Sequence, residues 1–168
     1  EVKDELIFEI LKYANLAPSA GNLQTWRFII IRDKEKKEQL VEACLKQDFI
    51  NEAPVLIVIC GDVDYMKRFY KNKGELYSIQ ECATVTQNIL LAATEFGLGS
   101  CWIGAFDVNM VKRFLDIPEN VMPYTIITLG YSREKIPEKK VYGLDTKTYF
   151  NSYGNKINDK SLIPLDKN

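Results

Sequence analysis

Residues 78–106 read SIQECATVTQNILLAATEFGLGSCWIGAF. The first nineteen residues form the longest helical pattern in the chain, closed by Gly97 as a C-cap glycine. At 100° per residue, Ile79, Cys82, Ala83, Val85, Ile89, Leu90, Ala93 and Phe96 share a wide apolar face. The remaining face carries Gln80, Thr84, Gln87, Asn88 and Thr94 with Glu81 and Glu95, and has neither Lys nor Arg. A solvated helix face normally mixes both charges. Neutral amides and hydroxyls suit a subunit interface or a polar ligand, or else a helix buried in one large core. Residues 100–103 then form a short strand, and Asp107 caps a helix running to about Leu115.

Upstream, Leu6, Ile7, Ile10, Leu11 and Ala14 make a helical stripe over residues 4–16, which Pro18 ends. A polar loop, APSAGNLQT at 17–25, leads into a strand at 26–31 (WRFIII). Asp33 caps a helix through about Leu45. The run VLIVIC at 55–60 fits a central strand buried on both faces. Residues 62–77 read as an irregular, aromatic- and cation-rich excursion or lid, and YTIITL at 124–129 as a last strand. From Tyr131 on the chain is polar without a clear period, so the tail is expected to lie along a neighbouring chain. The order of helices and strands describes one mixed α/β domain spanning 1–168.

Composition narrows the chemistry. The 168 residues are 46% hydrophobic and 27% charged, with 22 Lys+Arg against 23 Asp+Glu. A net charge of −1 speaks against nucleic-acid binding by bulk charge. The longest strongly apolar stretch, 53–61, is far short of the roughly 20 residues a membrane-spanning helix needs. Cys44, Cys60, Cys82 and Cys101 form no CxxC pair, which fits a reducing cytoplasm and no zinc site. There is no histidine, so Ser-His-Asp, Cys-His and HExxH chemistry are absent. Any catalysis is expected to reside in a bound group.

Three constellations could hold one. In the loop PSAGNLQTW at 18–26, Ser19, Asn22 and Gln24 offer a hydroxyl and two amides, and Gly21 permits positive φ. The same composition suits an ordinary turn. In GLGSCWIGAF at 97–106, Gly104 and Ala105 follow a strand and allow close backbone approach, whereas Gly97 and Gly99 read as helix-stop and turn glycines. The spacing is not the GxGxxG of a dinucleotide fold. Lys139 and Lys140, near Arg133 and Lys135, could hold a phosphate or form a solvated basic loop.

Taken together, APSAGNLQTWRFIIIRD (17–33), NILLAATEFGLGSCWIGAF (88–106) and ITLGY (127–131) resemble the nitroreductase family of flavin-mononucleotide (FMN) oxidoreductases. The resemblance spans nearly the whole chain. It implies an α+β, three-layer α/β/α fold with a mixed central sheet, and a homodimer built on the long helix and the extended tail. It also implies two FMN molecules at the interface, each touched by both subunits. Pro18, Ser19 and Asn22 match positions around the flavin ring and ribityl chain, with Gln24 in the same motif. Trp102, Ile103, Gly104 and Ala105 match the segment along the ring, where Gly104 is the candidate backbone donor to N5. Gln47 is a candidate for the polar edge of the ring, and Lys139 and Lys140 for the phosphate.

The implied reaction is hydride transfer from NAD(P)H through flavin N5 to a nitroaromatic or quinone, with ping-pong kinetics. Flavin binding without turnover, or specialised flavin chemistry such as dehalogenation or flavin breakdown, are the alternatives. Neither nucleic acid nor membrane is an expected partner. Two departures stand out. Family members usually open with an Arg-Arg-Ser-[Ile/Val]-Arg-like phosphate-holding segment, and this chain starts at Glu1, where that segment would have ended. Without it, losing one charge-assisted contact of about 1.5–3 kcal/mol would weaken binding roughly 10- to 100-fold. The other departure, Thr25 where proline is frequent, is expected to matter little.

Overall fold

The computed structural model describes residues 1–132 and 140–156. The chain divides into two compact units, Glu1–Arg133 and Glu134–Asn168. In the first, the elements run α1 (Asp4–Ala14), β1 (Trp26–Ile31), α2 (Lys34–Ala43), α3 (Phe49–Glu52), β2 (Val55–Asp62), α4 (Val63–Tyr70), α5 (Gly74–Glu95), β3 (Gly99–Ile103), α6 (Val108–Phe114) and β4 (Val121–Gly130). The strands form one sheet in the order β1-β2-β4-β3. In the second unit, a 3-10 turn at Leu144–Thr146 precedes a bridge between Tyr149 and Lys156.

Alternation along β2 builds the layers. Val55, Ile57 and Ile59 join Ile7, Ile10, Val85 and Ile89 on the face covered by α1 and α5. Leu56, Val58 and Cys60 join Leu40, Ile50, Val111 and Ile126 on the face covered by α2, α3 and α6. Helices thus cover both faces of the sheet, giving the expected α+β, three-layer fold. The sheet itself is not mixed: all three ladders between described strands are antiparallel. A continuous apolar run marks a strand covered on both faces and is silent about the direction of its neighbours.

Residues 62–77 are helical rather than irregular. Asp62 caps α4 by accepting from Tyr65 N at 3.1 Å, and Val63 and Met66 bury its apolar stripe under surface Lys and Arg. α5 starts at Gly74, four residues earlier than the sequence suggested, and presents a rotated face. Ser78, Glu81, Cys82, Val85, Thr86, Ile89, Ala92 and Ala93 are buried. Glu81, placed by the sequence on the outward polar side, is 3% exposed, whereas Ile79, placed inside, is 43% exposed. Small residues account for the rotation. A Cβ at Gly61 of β2 would collide with Ser78 Oγ, so sheet and helix are in close contact there. Asp33 and Asp107 cap α2 and α6 as expected, accepting from Lys36 N at 2.8 Å and Met110 N at 2.9 Å. Among the described residues no helix is long and apolar enough to cross a membrane.

Candidate functional site

The loop between α1 and β1 has an uncommon backbone. Gly21, Asn22 and Gln24 all have positive φ, at 56°, 57° and 50°. Left-handed geometry is free for glycine and costs L-residues roughly 1–2 kcal/mol each, Asn less than Gln. Such strain persists only where the surroundings over-determine it. Here Asn22 N donates to Ser19 O at 3.1 Å and Leu23 N to Ala20 O at 3.1 Å. Gln24 N donates to Ser19 Oγ at 3.1 Å, and Gln24 Nε2 to Asn22 Oδ1 at 2.9 Å. Trp26 Nε1 reaches back to Asn15 Oδ1 at 2.9 Å, fixing the entry to β1 against the end of α1. Ser19, Asn22 and Gln24 are therefore brought together, with Asn22 and Gln24 on the surface.

Below the loop lies α5. A cleft of about 250 Å³ is lined by Pro18, Ser19 and Ala20 on one side and by Tyr77, Gln80, Glu81 and Thr84 on the other. Thr25, expected to matter little, is fully buried. Its backbone N–H donates to Glu81 Oε1 at 2.8 Å, and its hydroxyl donates to the same oxygen. The second oxygen, Oε2, is buried and has no hydrogen-bond partner among the described residues. Burial pushes the Glu81 carboxyl above its ordinary range, while the two bonds from Thr25 and the nearby Arg27 charge pull it back. Tyr70 stands against Gly21 and packs edge-on against Tyr77, with ring centroids 4.9 Å apart.

A second cluster forms where β3 ends. Trp102 is 41% exposed, and Gly104 and Ala105 are exposed. Ile103 is buried on the sheet face covered by α2, α3 and α6 and so offers only its backbone. A Cβ at Gly104 would meet nothing nearer than the Trp102 ring at 3.7 Å, so the backbone there is open to close approach. Gln47 joins this cluster. Its Nε2 donates to Cys44 O at 2.8 Å and lies 3.4 Å from Ala105 O. Leu45 and Lys46, both with positive φ, turn the chain so that Gln47 faces that way. Asp107 N donates to Ala43 O at 2.9 Å and ties down the far end of the segment.

Because the sheet is antiparallel, β1 starts and β3 finishes at the same end of it. Trp26 pairs with Gly61 and Ile103 with Ile126. The two clusters leave toward that end from opposite edge strands, β1 and β3, with β2 and β4 between them, and Ile103 is level with Ile29 rather than with Trp26. Among the described residues no hydrogen bond joins them. Lys140 is exposed in the second unit, and Lys139 lies outside the described residues. Among the described residues there is also no group of His, Cys, Asp or Glu that could hold a metal ion. Cys44, Cys60 and Cys82 are buried, with thiols raised by desolvation, so they behave as core residues.

Sequence reasoning missed the Thr25–Glu81 pair. Its signal was the spacing Ser78, Glu81, Cys82, Val85, which sets Glu81 on the inward stripe of a helix.

The family model for the nitroreductase family matches residues 1–47 and 42–131. A protein of Archaeoglobus fulgidus, whose name pairs NADH dehydrogenase with NAD(P)H nitroreductase, is 37% identical over 151 residues, covering 88% of this chain and 82% of that one. The FMN reductase (NADPH) of Bacillus subtilis is 25% identical over 162 residues, covering 84% of this chain and 65% of that one. Among solved structures, B. megaterium NfrA2 superposes with a TM-score of 0.84 at 26% identity, covering 90% of this chain and 67% of that one. Fold, motifs and relatives agree: the chain belongs to the nitroreductase family, and with it to the NAD(P)H-dependent flavin oxidoreductases.

Proposed function

We propose that this chain binds FMN in a homodimer and reduces a nitroaromatic or quinone at the expense of NAD(P)H in two half-reactions. The residues present fit the cofactor. The loop holds a hydroxyl and two amides in a strained, multiply bonded conformation. The backbone at Gly104 is open to close approach. Bound there, FMN would supply the hydride acceptor and donor at N5. Pro18, Ser19, Asn22 and Gln24 would flank the ring and the ribityl chain. Trp102, Ile103, Gly104 and Ala105 would run along the ring, with Gly104 N–H as the donor toward N5. Gln47 holds the Ala105 end of that segment, and Lys139 and Lys140 would take the phosphate.

The observation that carries the dimeric part is the separation of the two clusters on opposite sheet edges. Two protomers can complete what one leaves apart: the loop of one protomer would meet the β3 segment of its partner. The outward face of α5 supports this. Leu76, Ile79 and Leu91 are 52%, 43% and 61% exposed, on a helix that contains no Lys or Arg. A water-facing helix side that mixes large apolar residues with neutral amides and carries no cation suits a covered interface. The extended C-terminal segment would then lie along the partner.

Steady-state kinetics test the two half-reactions. With NADH or NADPH varied against a quinone, double-reciprocal plots should be parallel, because the nicotinamide leaves before the acceptor enters. Intersecting lines, which require both substrates bound together, would contradict the reading.

A further inference from the structure

The strained loop needs a clamp at each end. Its start is held by the turn after α1, where Leu16 N donates to Tyr13 O at 3.2 Å and Ala17 N to Ala14 O at 3.0 Å, and its interior by Ser19 and Asn22. Its far end comes directly after Gln24, whose φ of 50° is costly for a residue with a long side chain. That end is held at Thr25, whose backbone N–H and hydroxyl both donate to Glu81 Oε1 and whose carbonyl accepts from Asp62 N at 3.0 Å where β1 begins. Glu81 lies 56 positions along the chain, on the second turn of α5. It is 3% exposed. A carboxyl group is taken into a core only where hydrogen bonds compensate the loss of water. Among the described residues no Lys or Arg forms a salt bridge with it. Arg27 contributes charge from nearby, and Cys82 and Tyr124 are the other titratable groups that sense it. The two bonds from Thr25 are thus its direct partners, and both serve the loop rather than the helix.

We propose that Glu81 is a positioning residue: through Thr25 it locks residues 18–25 in the conformation that presents Ser19, Asn22 and Gln24 to the flavin. The inference rests on the reading of that loop as a cofactor contact. The clamp uses only Oε1, so an amide oxygen in the same place should serve. Glu81→Gln keeps the acceptor, Glu81→Ala removes it, and Thr25→Ala removes one of its two donors.

Two measurements on the full chain test the clamp. The first is hydrogen–deuterium exchange of amides 19–25 in the flavin-free protein. The second is the Kd for FMN by fluorescence titration. Glu81→Ala should speed exchange across the loop and raise the FMN Kd about 10-fold or more. Glu81→Gln should stay within about twofold of the parent in both. Thr25→Ala should fall between them, and it stands in for Glu81→Ala if that variant does not fold. Unchanged loop exchange and FMN affinity in Glu81→Ala, or in Thr25→Ala where it stands in, would overturn the proposal. So would a Glu81→Gln variant as impaired as Glu81→Ala, since the effect would then belong to the charge. If the parent itself fails to bind FMN, the cofactor reading falls, and the exchange measurement still decides whether Glu81 clamps the loop.

Discussion

A Cβ on Gly21 would sit 2.6 Å from the hydroxyl of Tyr70, so the loop between α1 and β1 and the end of α4 are packed to the limit at this point. Gly21 also has a φ of 56°. Gly21→Ala meets both penalties and should lower stability by about 1 kcal/mol or more in urea unfolding. Tyr70→Phe on the same background removes the overlapping oxygen and should recover part of the loss. Equal stability of Gly21→Ala and the parent would mean that the loop is free to relax.

Glu81 makes stability depend on pH with a definite sign. Its carboxyl titrates at the ordinary value in the unfolded chain and at a raised value in the folded one, because burial disfavours the charge. Between the two values the folded state holds the extra proton. Stability from this group is therefore full below the unfolded value, about 4.3, and is lost as pH rises through the raised folded value. Melting temperatures of the parent and of Glu81→Gln across about pH 4 to 8 should converge at the acid end. Glu81→Gln should become relatively more stable toward the neutral end, and curves that stay parallel would contradict this.

Gln47 links the turn after α2 to the segment after β3, with one firm bond to Cys44 O and one at 3.4 Å to Ala105 O. Gln47→Ala should cost less than about 1 kcal/mol in stability, since the side chain is only half-buried. Its effect on FMN affinity should be larger in proportion, about 3- to 10-fold by fluorescence titration. An unchanged Kd would remove Gln47 from the site.

Leu91 is 61% exposed on α5 and borders a groove with Tyr13, Leu16, Asn88 and Phe96. Leu91→Glu exposes a charge where water already reaches within one protomer, so folding should be nearly unaffected. If the α5 face is covered by a second copy, the same charge is buried there, and the dimer should dissociate by at least tenfold in Kd. Sedimentation measures this, and an unchanged mass at all concentrations would contradict the interface.

Much of the architecture was legible in sequence because burial leaves a period. The VLIVIC run, the capping aspartates Asp33 and Asp107 and the Pro18 boundary each have a local cause, and each appears in the structure. Strand direction was not legible, because a strand covered on both faces looks alike in parallel and antiparallel sheets. The register of α5 was misread because Ser78, Thr86 and Glu81 are polar yet buried. Their inward placement depends on contacts such as Thr25 and Gly61, which are remote in sequence. The α4 helix was hidden by aromatic and cationic side chains on its outer face. In the site, residue types were readable in the loop, but the partner that fixes its geometry was 56 positions away.

The central claim is that a flavin held by this chain is reduced by a nicotinamide. The direct measurement is the visible spectrum of the purified protein with one equivalent of FMN per chain, followed by anaerobic NADH and then NADPH. The account predicts bound, fluorescence-quenched flavin that bleaches with at least one nicotinamide and recovers its colour when a quinone is added. Flavin that stays free in solution, or binds and is bleached by neither nucleotide, would contradict it.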